Sequence, residues 1–256
     1  MLLDVGRMLI LRSRLLEAFD HGFTTRDGGC SPAPWASLNL GGAAGDEPAR
    51  VSENWRRLGE ATGLAFARVR QVHGAGVVEA EEACEPRVEA DAVISATPGV
   101  AATVAVADCV PILLADPDSG RVAAVHAGWR GTIARIAAAA VARLAAAGAA
   151  PDRLIAAIGP SIGPCCYEVA PDLAARFAAE LGEGTVRSGR TPRLDLWAAN
   201  AAILGAAGLR ADRVETLGHC TACAPDRFYS HRRDAGRTGR HAAFIAPRPR
   251  SSDIVR

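Results

Sequence analysis

Apolar residues in this chain come in short unbroken runs punctuated by Gly, Pro and Asp. Residues 66–73, 90–96, 101–108, 110–115 and 121–126 read as buried strands, and 154–158 as another short one. Asp116-Pro-Asp-Ser-Gly120 is a tight turn between two of them. Residues 9–26 read as an extended opening, followed by a turn-rich loop through Asp27-Gly-Gly29 and Ser31-Pro-Ala-Pro34. Helical spacing governs residues 47–62, with Val51, Trp55 and Leu58 on one face and Gly63 as the stop. Thr132 is expected to cap an Ala-rich helix over 133–147, closed by Gly148 and Pro151. Helices over 171–181 and 195–207 open at Pro171-Asp172 and Asp195, and each ends at a Gly.

Strands and helices intermix without regular βαβ alternation, and no composition break or repeat marks a linker. The expectation is a single α/β (α+β) domain over residues 1–256, with mixed sheets flanked by helices. Residues 1–8 and 248–256 are expected to be mobile.

Three of the strand-like runs end in a potential metal ligand: His73 in Val69-Arg-Gln-Val-His73, Cys109 in Ala107-Asp-Cys109, and His126 in Val125-His126-Ala-Gly128. Each alone is an ordinary buried His or Cys. Together, two imidazoles and a thiolate suit Zn²⁺, and three protein ligands leave a coordination position open. Gly74 and Gly128 allow close approach of the chain. Asp108 beside Cys109 reads either as a general base or as an ordinary supporting carboxylate.

With 49% hydrophobic and 22% charged residues, the chain can bury a sizeable core. A formal charge of +1 gives no reason to expect nucleic-acid or membrane binding. All 29 basic residues are arginine, which excludes a P-loop lysine, a pyridoxal Schiff base and a Ser-Lys dyad. Seven cysteines without signal-peptide character, and no apolar run long enough to span a membrane, point to free thiols and a cytoplasmic location.

Five segments carry a resemblance. They are His21-Gly-Phe-Thr-Thr-Arg26-Asp-Gly-Gly with Ser37-Leu-Asn39-Leu; Gln71-Val-His73-Gly; Ala107-Asp-Cys109-Val-Pro111 with Ala124-Val-His126-Ala-Gly-Trp-Arg130-Gly-Thr132; Ile158-Gly-Pro-Ser-Ile-Gly-Pro-Cys-Cys-Tyr167-Glu-Val; and Phe228-Tyr-Ser230-His-Arg-Arg233-Asp with Thr238-Gly-Arg240. The chain resembles the laccase-domain family, also called multicopper polyphenol oxidase-like or peptidoglycan-editing-factor proteins. The resemblance implies an α/β sandwich and metal ligands at His73, Cys109 and His126. It further implies phosphorolysis of adenosine, inosine, guanosine and methylthioadenosine, with deamination of adenosine. It also includes an amidase-like editing of cell-wall precursors.

A four-copper oxidase needs about ten histidines, many in His-X-His pairs; this chain has six and no such pair. Cu²⁺ can still enter the His-Cys-His site, since copper binds such donors more tightly than zinc. Arg26, Asn39 and Arg130 are candidate holders of phosphate, ribose hydroxyls or a base edge, with an arginine paired to a structural carboxylate as the alternative. Without metal, Cys109 and His126 could form a thiol–imidazole hydrolase pair, and a third reading is a non-catalytic nucleoside- or metal-binding protein. Cys220-Thr-Ala-Cys223 has chelate spacing, but Cys165-Cys166 would complete it awkwardly, so these are expected to be structural thiols. The arginines of residues 226–250 read as an anion-binding rim or, as expected here, a solvated, salt-bridged face, with His219 and His231 structural.

Overall fold

The strand runs lack polar alternation because most of their strands are covered on both faces. The computed structural model describes residues 2–5, 8–84 and 88–249. In chain order, β1 (Leu2–Val5), β2 (Met8–Leu11) and β3 (Asp20–Thr24) lead into helix α1 (Pro48–Thr62). Then come β4 (Ala65–Ala67), β5 (Val77–Glu79), β6 (Ala92–Ser95), β7 (Val100–Val106), β8 (Val110–Ala115) and β9 (Val122–Ala127). Helices α2 (Trp129–Ile133) and α3 (Ile136–Ala146) precede β10 (Ile155–Ile158) and α4 (Pro171–Leu181). A hairpin of β11 (Val186–Arg187) and β12 (Arg193–Leu194), helix α5 (Leu196–Ala206), β13 (Val214–Thr216) and β14 (His241–Ala246) complete the chain.

Two six-stranded mixed sheets result, ordered β1-β2-β3-β14-β7-β4 and β13-β10-β8-β9-β6-β5. Side-chain alternation sorts each strand between two layers. Along β9, Val122 and Ala124 enter the space between the sheets, with Phe23, Val104, Leu113 and Ile245. Ala123, Val125 and Ala127 face the helices instead, packing with Ile136, Leu144 and Ile203. On β14, Ala243 and Ile245 point inward, whereas Ala242 and Phe244 pack outward with Val51, Trp55 and Leu58 of α1. The expected sandwich is thus α1, sheet, sheet, and a helical layer built on α3, α4 and α5.

Several expected elements are shorter or broken. The run over 66–73 is a strand only to Ala67. Beyond it the Gln71 side-chain amide takes a strand's place, donating to Ala105 O at 2.9 Å and accepting from Ala105 N at 2.8 Å. The helix expected over 133–147 starts earlier and is broken, because Arg135 adopts φ 56 between α2 and α3. Thr132 is not its cap; its hydroxyl accepts from Asn200 Nδ2. The opening residues expected to be mobile include β1, which pairs antiparallel with β2. Arg248 is likewise held, donating to Asp20 Oδ1 at 2.7 Å and Glu17 O at 3.0 Å. The rest of the expected mobile tail, residues 250–256, lies outside the described residues. Among the described residues, no helix is long and apolar enough to cross a membrane.

Leu113 is fully buried between the sheets, so Leu113→Ala is expected to lower unfolding free energy by about 2–5 kcal/mol in urea titration. Val72→Ala, at a side chain 42% exposed, should stay within about 0.5 kcal/mol of the parent. Equal effects at the two positions would contradict the layer assignment.

Candidate metal centre

At one end of the sandwich a strand residue meets two segments that depart from strand geometry. His126 is the fifth residue of β9, and alternation aims its ring to the inter-sheet side, opposite Ala127. Cys109 lies in the turn joining β7 to β8. His73 lies in the irregular segment after β4, at φ 61, and Asp108 sits at φ 82. Left-handed backbone at residues other than Gly costs about 1–3 kcal/mol each and gathers where side chains must be aimed.

Strand β9 and these two irregular segments bring the ligand atoms of His73, Cys109 and His126 within 4.8 Å of one another. Tetrahedral zinc with N and S ligands has edges of about 3.3–3.8 Å, so small side-chain shifts suffice. Gly128 makes the approach possible: a Cβ there would lie 2.8 Å from Cys109 Sγ and 3.2 Å from His73 Cδ2. The donor set and the cradle both fit a borderline-soft divalent cation.

Asp91 orients the set, and sequence reasoning missed it. Its carboxylate accepts from His126 Nδ1 at 2.7 Å, His73 N at 2.9 Å, Gly74 N at 2.6 Å and Val72 N at 3.2 Å. Its carbonyl takes His126 N at 2.7 Å. Bonding to Asp91 fixes the proton on Nδ1 and leaves Nε2 for a metal. Burial favours the neutral carboxyl, but His126 and the backbone donors outweigh it and hold Asp91 below its ordinary value. The available signal was a carboxylate immediately before the apolar run of β6.

Without metal, Cys109 and His126 are coupled. Burial opposes the thiolate, yet His126 and His73 pull the thiol down to about 6. Burial likewise opposes the imidazolium, but Cys109 and Asp91 raise His126 to about 9. The lowered thiol contributes stability that is lost as pH falls through about 6. The raised imidazole contributes stability that is lost as pH rises through about 9. Between these limits the proton has moved from sulfur to nitrogen, while the number of bound protons hardly differs from that of the unfolded chain. The pair therefore adds little pH slope to stability.

The three ligands line a cavity of about 690 Å³, together with Asp108, Trp129, Arg130, Tyr167 and Arg232. That size suits a small molecule. Asp108 Oδ1 accepts from Thr221 Oγ1 at 2.6 Å and Oδ2 from Arg232 N at 2.6 Å, which fixes the carboxylate. Arg130 is exposed and rests on the Trp129 indole, 4.3 Å from its centroid. Arg232, expected on a solvated face, is exposed and also lies over Tyr167 at the cavity wall.

Arg26 and Asn39 are not among the residues lining this cavity. Arg26 donates to Ala36 O at 2.7 Å and Pro225 O at 2.8 Å, with its guanidinium over Tyr229. Asn39 is fully buried, donating to Asp46 and accepting from Gly41 N and Arg240 N. It shapes the cavity rim through Gly41 and Arg240, both of which line it. Among the described residues the other four histidines join no cluster of potential ligands, so one two-histidine site stands where a four-copper oxidase needs several.

Asp91→Asn is expected to weaken zinc binding by about 10–100-fold in competition with a chromophoric chelator; unchanged affinity would remove Asp91 from the centre. In chelator-treated protein, iodoacetamide should label Cys109 at a rate that levels off above about pH 6. Added Zn²⁺ should suppress that labelling. A rate still climbing towards pH 9, the ordinary thiol value, would contradict the coupling.

Comparison with known proteins bears on this geometry. Residues 20–248 match the family model described as multi-copper polyphenol oxidoreductase laccase. The chain is 48% identical over 233 residues to a purine nucleoside phosphorylase of Deinococcus radiodurans, covering 89% of each chain. It is 43% identical over 230 residues to one of Streptomyces coelicolor, covering 88% of this chain and 93% of that one. The crystal structure of YlmD from Geobacillus stearothermophilus superposes with a TM-score of 0.89 at 34% identity, over 96% of this chain and 100% of that one. With matching sequence over most of its length and the same architecture, the chain belongs to the multi-copper polyphenol oxidoreductase laccase family.

Proposed function

We propose that this protein is a zinc-dependent purine nucleoside phosphorylase acting on adenosine, inosine, guanosine and methylthioadenosine, with adenosine deamination as a second activity of the same site. The observation that carries this reading is the convergence of His73, Cys109 and His126 on a cavity that also presents Asp108 and Arg130. The naming of the Deinococcus and Streptomyces relatives as purine nucleoside phosphorylases supports the substrate class.

Phosphorolysis needs an anion held beside the ribose, a charge that stabilises oxocarbenium character at C1′, and a place for the departing base. Arg130, steadied by Trp129, offers a guanidinium to phosphate. Asp108, fixed by Thr221 and Arg232, offers an oriented carboxylate for the developing positive charge. Trp129 and Tyr167 offer faces on which a purine can stack. A metal held by His73, Cys109 and His126 would supply Lewis acidity and, for deamination, activation of water. Copper fits the same donors. Arg26 and Asn39 act in this reading as scaffold, since their polar atoms are engaged away from the cavity.

A second reading rests on the Cys109–His126 coupling: a metal-free thiol hydrolase in which the lowered thiol attacks an acyl substrate. Metal content separates the two, because a metal-capped thiolate cannot attack.

The test supplies purified protein with purine nucleosides, with and without phosphate, and follows free base and ribose 1-phosphate. The expected result is phosphate-dependent base release that His126→Ala abolishes together with bound zinc. Base release independent of phosphate, or full turnover without zinc, would overturn the reading. Arg130→Ala should raise KM for phosphate by about 10–100-fold, the worth of a charge-assisted hydrogen bond, with zinc retained. Arg26→Ala should lower the melting temperature and leave that KM unchanged.

A further inference from the structure

Cys165, Cys166, Cys220 and Cys223 lie apart in the chain, yet the fold gathers them at one place. Parallel strands β10 and β13 run side by side, and an isolated bridge between Ser161 and Cys220 extends their pairing past the strand ends. The two chain segments then turn together. One turn presents Cys165 and Cys166, the other Cys220 and Cys223, and all four sulfurs lie within 4.8 Å of one another. Cys223 Sγ is 3.5 Å from Cys165 Sγ and 3.3 Å from Cys166 Sγ.

Adjacent cysteines would point to opposite faces of a strand. Residues 164–166 form a turn instead, which sends both side chains to the same side. This removes the objection that the sequence alone raises against the pair. Sulfurs of a tetrahedral four-thiolate zinc site are about 3.8 Å apart, given Zn–S bonds of about 2.3 Å. The 3.3 and 3.5 Å separations lie within about 0.5 Å of that edge and exceed a disulfide's bond of about 2.05 Å.

Burial pushes the Cys165 thiol up to about 11 and raises that of Cys166, so a cation must displace their protons, while two contacts favour ionised sulfur. Gly163 N donates to Cys220 Sγ at 3.2 Å, a bond that favours ionised sulfur. Gly163 is needed for that approach, because a Cβ there would lie 3.3 Å from Cys165 Sγ and 2.8 Å from the Trp197 ring. Arg193 Nη1 donates to Cys165 O at 3.2 Å, placing positive charge beside the cluster. A divalent cation and four thiolates carry a net negative charge, which this arginine partly offsets.

We propose that these four cysteines form a second metal site that takes zinc through four thiolates and braces the cavity wall. Binding displaces the thiol protons to solvent and leaves no open coordination position, so the site is structural. Both braced loops reach the first site. Thr221, between the chelating pair, bonds Asp108, while Ile162 N bonds Asp108 O at 3.0 Å and Tyr167 follows Cys166 into the cavity lining.

The test counts zinc per chain by plasma mass spectrometry in the full-length protein. The wild type should hold two equivalents, C220S/C223S one and H126A one; combining the variants should leave none. Co²⁺ loaded into the H126A protein should give intense sulfur-to-cobalt charge-transfer absorption that C220S/C223S loses. C223S alone, at an exposed cysteine, repeats the measurement if the double variant fails to fold. A single wild-type equivalent that H126A removes entirely would overturn the proposal. A disulfide among these cysteines in the unreduced intact mass would do so as well. Because the H126A protein is read for metal alone, the outcome is independent of whether the chain cleaves nucleosides.

Discussion

The buried carboxylate of Asp91 is the constraint on which the candidate centre depends. A charge without solvent is costly unless its lone pairs are filled. Here three consecutive backbone N–H groups and the His126 ring fill them. That single group ties the irregular segment carrying His73 to the strand carrying His126. It also sets which nitrogen of His126 faces the metal position. Histidine alone provides a ligand type; Asp91 gives that ligand a tautomer and a direction.

The sandwich explains why the site lies where the strands stop. Within the layers, both faces of β8 and β9 are filled by hydrocarbon, with no place for water or substrate. Polar chemistry is confined to the ends, where backbone leaves the ladder. There, His73 and Asp108 adopt left-handed φ, and Gly128 approaches the ligands as no larger residue could. The rigid body fixes these departures, so their side chains converge with little conformational freedom left to lose.

The family's oxidase name and the geometry of this chain differ in a physically meaningful way. A multi-copper site needs many imidazoles, and the described residues gather two of six. A thiolate and two imidazoles facing an arginine-bearing cavity suit polar, anionic substrates better than electron transfer among several metals. The cysteine cluster behind Asp108 adds a second meeting point of distant segments, joined to the first through Thr221 and Ile162.

The sequence by itself determined strands β6 to β10, helix α1 and its buried face, and the three metal-ligand candidates, because each is a local pattern of hydrophobicity, capping or ligand type. The family motifs identified the sandwich as well. Only the tertiary structure decided the rest. Asp91 is an unremarkable carboxylate in sequence and becomes the orienting group only when β6 lies beside β9. Arg26 and Asn39, equally plausible from their motif as ligand contacts, are turned to carbonyls, a carboxylate and backbone amides away from the cavity. Cys165 and Cys166 look unfit to chelate together until a turn reverses the strand rule. In each case the deciding quantity is a direction in space between residues far apart in the chain, and spacing along the chain does not encode it.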